Sequence, residues 1–257
     1  MYEKVSVANC RLYQSNASKG EEKQMESQAS VAPVEITKTY VYGAVRCVGA
    51  LKPVFDAQQN GFLPPELTVA GTGFWIKDFG CFVTCAHVVD QYLGRSIDES
   101  GMLVVGGNGQ AYQRATIGVV DYQHDLALLN INFTRKDDFR KEVMTGLSIA
   151  DKDPDIGQGI AYAGFPFGNK LLDANHTPTY SEGVVGKAIL HTLRRTEIQF
   201  TGPVVGGYSG SPVVLRASSD KLVGVLSNGP MDHGNTGNIF KGIHWKHVLA
   251  LCEVSRK

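Results

Sequence analysis

The chain has 257 residues, 43% of them hydrophobic and 19% charged, and its 25 basic and 25 acidic side chains balance to a formal charge of zero. This size and composition support a sizeable core, arranged as one large domain or two small ones. With no basic stripe and no apolar stretch near 18 residues, neither nucleic acid nor a membrane is an expected partner. The 29 glycines and 10 prolines exceed what a helical bundle needs and suit many short strands joined by turns.

Residues 1–33 are polar, and 19–30 (KGEEKQMESQAS) carry almost no apolar side chain. Such a segment cannot bury enough surface to offset its ordering entropy, so it reads as a mobile tail, with a short amphipathic helix as the alternative. The first twenty residues lack the apolar centre of a secretory signal. The five cysteines (10, 47, 81, 85 and 252) are scattered and odd in number. They read as reduced thiols of a cytoplasmic protein, because a secreted protein of this size would pair them. No Cys-x-x-Cys pair supports zinc.

From Val34 the texture becomes β-rich: YVYGAVRCVGAL, GTGFWI, CFVTCAHVV, MLVVGG, RATIGVVDY and LALLNI follow one another. KDFG (77–80) reads as a hairpin loop and 52–68 as a long surface loop. The charged stretch 132–146 reads as a linker between two halves. A second series follows: GQGIAYAGF, EGVVGKAI, EIQFTG, SPVVLRA, LVGVLS and IFKGI. The last segment, 244–254, has apolar residues at helical spacing. Two sets of about six strands predict an all-β protein of two packed antiparallel barrels, over 34–145 and 146–257, closed by a short C-terminal helix.

Three motifs carry chemistry. In TCAHVV, an apolar strand runs into small residues and then His87, leaving an imidazole at a strand end. In HDLALL, Asp125 immediately precedes an apolar strand, where a part-buried carboxylate needs a donor such as a histidine N–H. Asp121 is the rival acid. In GGYSGSP, glycines on both sides of Ser209 permit a tight turn that can aim successive N–H groups at one point, as an oxyanion hole requires. Ser211, followed by Pro212, is the weaker nucleophile. Taken singly these are a surface histidine, a turn aspartate and a Gly/Ser turn. Together they supply a hydroxyl, a base to take its proton and a carboxylate to fix the base's tautomer. Their order His, Asp, Ser is the one used on double β-barrels. No glycine fingerprint of a Rossmann or P-loop enzyme is present.

The set resembles the chymotrypsin-like (trypsin-like) serine peptidases, closest in texture to the compact bacterial and HtrA-type branch without a PDZ domain. AGFPFG (163–168) resembles that branch's Gly-x-Pro-x-Gly turn and EGVV (182–185) the strand after it. The likeness spans about 37–251. It implies a serine endopeptidase that cleaves polypeptides through an acyl-enzyme with the His87, Asp125 and Ser209 triad. Carried over by position, Gly207 and Ser209 donate the oxyanion-hole N–H groups. Pro203 and Val204 lie at the base of the specificity pocket, and Ser227, Asn228 and Gly229 match the strand that pairs with substrate. No cofactor or metal is implied. Tyr208 stands where digestive relatives carry the aspartate that pairs with a newly cut N-terminus, so that activation is not expected. About 48 residues follow Ser209, too few for a PDZ domain. The alternatives are a catalytically silent module on the same fold and a hydrolase of esters.

Overall fold

The computed structural model describes residues 33–256, apart from 57, 59, 194 and 228–238. The predicted N-terminal tail, with Cys10, lies outside the described residues, as do Asn228 and Gly229.

A helix, α1 (Pro33–Ala44), opens the described chain. Proline at a helix start costs no hydrogen bond. Thr37, Val41 and Ala44 recur at helical spacing and are fully buried, and the Thr37 hydroxyl donates to the Arg216 carbonyl at 3.1 Å. Residues 40–44, expected as strand from their aromatic and β-branched content, therefore form the end of a helix. Tertiary burial of that one face outweighs local propensity.

Six strands close the first barrel in the order β1-β2-β3-β6-β5-β4. They are β1 (Val45–Asp56), β2 (Gly61–Ile76), β3 (Cys81–Thr84), β4 (Met102–Gly107), β5 (Gln110–Asp121) and β6 (Leu126–Ile131). The stretch 52–68, expected as a loop, is instead the outer part of a long β1–β2 hairpin paired as far as Asp56 and Gly61. Its prolines are accommodated by an irregularity between Lys52 and Val54, since proline cannot donate to a ladder. Short helices α2 (Ala86–Val89) and α3 (Ile97–Ser100) lie between β3 and β4.

The expected linker contains α4 (Lys136–Met144). Phe139 reaches Trp75 edge-on at 5.9 Å, and Glu142 meets the buried Arg46 at 2.7 Å. The charged stretch is thus pinned to the end of the first barrel.

In the second half, β8 (Gly159–Gly164), β9 (Thr179–His191), β10 (Thr196–Thr201), β13 (Ile239–His244), β12 (Ser218–Leu226) and β11 (Pro212–Leu215) pair in that order, and β11 also pairs with β8 to complete the ring. The two-residue β7 (Ser148–Ile149) joins β12 in parallel. Helix α5 (Trp245–Val254) ends the described chain, burying Trp245, Val248, Leu251 and Cys252. The fold is the chymotrypsin-like double barrel, and one buried apolar cluster runs through both halves.

Candidate active site

His87 lies just beyond the end of β3. The chain turns at Cys85, whose backbone is extended, into the single turn of α2. Ala86, Val88 and Val89 are buried, leaving His87 as the outward residue, with 31% of its side chain exposed. Asp125 sits in the β5–β6 turn at φ 59°, a left-handed conformation that aspartate tolerates better than most residues.

Asp125 grips the start of α2 repeatedly. Its carbonyl accepts from the Ala86 N–H at 3.2 Å, and Oδ1 accepts from the His87 N–H at 3.0 Å. Its two carboxylate oxygens lie 3.0 and 2.9 Å from His87 Nδ1. A carboxylate only accepts, so Nδ1 carries the proton and Nε2 presents its lone pair. The rival Asp121 is occupied elsewhere, meeting the ring of His124 at 2.6 Å.

Two further groups hold the carboxylate. The Ser227 hydroxyl donates to Oδ2 at 2.5 Å, and Arg195 Nη1 stands 3.9 Å from the same oxygen. Arg195 also bonds Ser227 Oγ at 3.3 Å, the His124 carbonyl at 3.0 Å and Glu197 at 2.9 Å. Burial works to raise the Asp125 pKa. The His87 ring, the Ser227 hydroxyl and the His87 N–H outweigh it, so the group titrates below the usual carboxylate value.

Ser209 occupies the turn before β11. Gly207 has φ +98° and Gly210 φ +84°, and a Cβ at either would stand 2.1 Å from the Phe165 carbonyl or 2.0 Å from the Thr72 carbonyl. Only glycine fits these two positions. The Gly206 carbonyl accepts from Phe167 N–H at 2.7 Å and the Tyr208 carbonyl from Ser211 N–H at 2.8 Å. A peptide's N–H points opposite to its C=O, so the Gly207 and Ser209 N–H groups face away from these partners. Among the described residues neither N–H donates to any acceptor, and the Ser209 hydroxyl forms no hydrogen bond, to His87 included. Ser211 is fully buried with its hydroxyl unpartnered.

The two barrels meet at this turn. Thr72 on β2 donates its N–H to the Ser209 carbonyl at 2.9 Å and its hydroxyl to the Gly207 carbonyl at 2.9 Å. The same hydroxyl accepts from Phe165 N–H at 3.1 Å. The Cys85 thiol and the Gly210 N–H both donate to the Leu226 carbonyl, at 3.2 and 2.8 Å. A Cβ added at Gly71 would be 2.8 Å from Val88 Cγ2 and 3.0 Å from the Ser209 carbonyl. The residues adjoining His87 and those adjoining Ser209 are thus brought to one seam.

A family model for the trypsin-like peptidase domain matches residues 71–225, more than half of the chain. The chain belongs to this family. The matched span of this trypsin-like peptidase domain includes His87, Asp125 and Ser209. Among solved structures the domain is similar to one titled "HtrA-type protease AlgW with decapeptide", at 17% sequence identity and a TM-score of 0.63. The alignment covers 84% of this chain and 66% of that one, just short of two thirds of its length, and at this identity it is a likeness of fold. No curated protein matches the chain.

Of the other residues expected at the peptidase site, Val204 is buried and Pro203 is exposed. The Pro203 carbonyl accepts from the Tyr162 hydroxyl at 2.9 Å. Ser227 directs its hydroxyl to Asp125, and this side-chain role was not part of the sequence reading. Arg195 and Thr72 were missed altogether. Arg195 and Glu197 alternate along the chain leading into β10, a spacing that places an ion pair on one face. Thr72 offered no signal beyond lying between two glycines.

Cys85, His87 and Asp125 each place a possible metal-ligand atom within 4.8 Å of one another. The chemistry does not suit a cation, because the thiol is fully buried, its pKa is pushed well up by that burial and then by Asp125, and it already donates to a carbonyl.

Proposed function

We propose that this chain is a serine endopeptidase that hydrolyses polypeptides through an acyl-enzyme, with His87 as base, Asp125 as its positioning carboxylate and Ser209 as nucleophile. The observation that carries this reading is the grip of Asp125 on both the ring Nδ1 and the backbone N–H of His87. It fixes the tautomer whose Nε2 can accept a proton, and the lowered pKa of Asp125 keeps the carboxylate charged as the ring becomes cationic.

In this mechanism substrate binding closes the Ser209 hydroxyl onto His87 Nε2, a contact often loose in a free enzyme. Ser209 Oγ attacks the scissile carbonyl carbon while its proton passes to Nε2. The oxygen that gains charge is received by the Gly207 and Ser209 N–H groups, which have no other acceptor among the described residues. His87 returns the proton to the departing amine, and the C–N bond breaks. A water then attacks the ester, giving its proton to His87, and Ser209 leaves with that proton restored. A polypeptide substrate is supported by the family and by the fold relative, which is described with a bound decapeptide.

Fluorophosphonate labelling tests the proposal. The native chain is expected to label at Ser209, and Ser209→Ala is expected to abolish labelling without unfolding. A folded native chain that takes no label would favour a silent module on the same fold. Labelling with ester but no peptide turnover would favour an esterase.

A further inference from the structure

Tyr208 lies between Gly207 and Ser209, whose N–H groups receive the developing oxyanion in the mechanism above. Its side chain turns inward and is buried. The phenol ring meets Tyr162 edge-on, with centroids 5.4 Å apart, and its hydroxyl is hydrogen-bonded to the Ser181 hydroxyl at 3.0 Å. Among the described residues the Tyr208 hydroxyl makes no other hydrogen bond.

Tyr162 on β8 and Ser181 on β9 are directly opposed in the β8–β9 ladder. Opposed side chains stand on one face of a sheet, so this cross-strand pair receives Tyr208 as a unit, the ring against Tyr162 and the hydroxyl on Ser181. Tyr162 is fully buried and pairs on its other side with Val213 of β11. Its hydroxyl donates to the Pro203 carbonyl at 2.9 Å, and a Cβ at Gly202 would stand 2.5 Å from that hydroxyl. The nucleophile turn and the segment 202–203 are thus fastened to the same two strand residues.

We propose that Tyr208 is a positioning residue for the reaction: its hydroxyl, held by Ser181, keeps the Gly207 and Ser209 N–H groups aimed at the oxygen that gains charge. This inference rests on the peptidase reading. Three of the five residues from Gly206 to Gly210 are glycine, the residue with the freest backbone, and Gly207 at φ +98° can leave that conformation at little cost. Thr72 holds the turn's carbonyls from the first barrel. Tyr208 is the side chain that holds the turn from the second. In the resemblance its position carries the aspartate that pairs with a new N-terminus, and in this chain an internal pair of hydroxyls stands there instead. Oxyanion donors are effective because they need no rearrangement as charge develops. Loosening them slows the chemical step and leaves ground-state binding little changed.

The test uses the full chain, native and with Tyr208→Phe, Ser181→Ala or both, and follows labelling of Ser209 across concentrations of a fluorophosphonate probe. Phenylalanine keeps the ring contact with Tyr162 and removes only the hydroxyl, so an unchanged circular dichroism spectrum is expected. Each single variant should lower the saturating rate, kinact, about tenfold, the effect of one hydrogen bond, with KI unchanged. The combined variant should also lose about tenfold, because both substitutions remove the same contact. Native kinact in Tyr208→Phe, or about a hundredfold loss in the combined variant, would overturn the proposal while the native chain still labels. A loss carried by KI alone would overturn it as well, leaving Tyr208 a packing residue. A native chain that takes no label at Ser209 would instead overturn the peptidase reading itself, and this inference with it.

Discussion

Ser227 donates its hydroxyl to Asp125 Oδ2 at 2.5 Å, the same oxygen that faces His87 Nδ1 at 2.9 Å. The serine at the end of β12 therefore positions the carboxylate from the second barrel, while the β5–β6 turn positions it from the first. Hydrogen bonds to charged groups contribute about 1.5–3 kcal/mol, and Ser227→Ala is expected to lower stability by about 1–2 kcal/mol in urea titrations. Peptide turnover should fall about tenfold, the equivalent of about 1.4 kcal/mol at the barrier. With one donor gone, Asp125 should also titrate at higher pH. A stability profile whose acid limb does not move upward would reduce Ser227 to a packing residue.

The lowered Asp125 pKa fixes the sign of a pH effect. A carboxylate whose folded pKa lies below its unfolded value stabilises the fold above the unfolded value, and that contribution is lost as pH falls through the folded one. Asp153 is shifted the same way: burial tends to raise it, but Lys246, His244 and Trp245 outweigh that. Urea midpoints should hold steady from pH 7 to 5 and drop below about pH 4. Asp125→Asn should flatten part of that drop and lower turnover by about 10⁴-fold. Midpoints that rise on acidification would contradict the assignment.

The double barrel was legible in the sequence because its strands are short β-branched runs bounded by glycine and proline, and the His, Asp and Ser motifs each mark a strand end. The long β1–β2 hairpin was not, since Pro53, Pro64 and Pro65 read as breakers and only the pairing register shows how the ladder passes them. Helix α1 was hidden for the opposite reason, its last residues being strand formers that burial against β8 and β12 holds in a helix. At the site, Arg195 and Thr72 act through partners distant in sequence, Asp125 and Gly207. Local patterns carry no trace of such contacts.

Ser211 and Ser209 separate cleanly. Ser211 Oγ is fully enclosed without a partner, and a Cβ at Gly164 would be 2.1 Å from it. Removing an unpaired buried hydroxyl costs little, so Ser211→Ala should keep turnover and shift stability by no more than about 1 kcal/mol. Ser209→Ala should lower kcat by about 10⁶-fold with an unchanged melting curve. The reverse pattern would move the nucleophile to Ser211.

Thr72 is one of the links between the barrels, bonding the Gly207 and Ser209 carbonyls from β2. Thr72→Val preserves the shape but removes both the donor to the Gly207 carbonyl and the acceptor for Phe165 N–H. Leaving two such groups unpaired costs about 2–4 kcal/mol, and loosening Gly207 should lower kcat with little change in KM. Thr72→Ser keeps both bonds and should restore turnover. If serine fails to rescue it, the methyl packing rather than the hydroxyl is what matters.

Cleavage after uncharged, apolar residues is the expected outcome of a peptide-library profile. In the resemblance, the base of the specificity pocket lies six positions before the nucleophile, at Pro203, followed by Val204. The Tyr162 hydroxyl fixes the Pro203 carbonyl at 2.9 Å, and Val204 is 9% exposed. A pocket that accepts Lys or Arg needs a carboxylate to pair with the desolvated cation, and nothing from Gly202 to Tyr208 supplies one. A pocket for glutamate in relatives uses a histidine before the substrate-pairing strand's serine, where this chain has Leu226, which is fully buried. Asp232 and His233 lie in the segment that follows Ser227, outside the described residues, and are the two groups that could reverse the preference. A dominant signal after Arg, Lys or Glu would overturn the apolar pocket. Repeating the profile with Asp232→Ala and His233→Ala would then identify which side chain selects the charge.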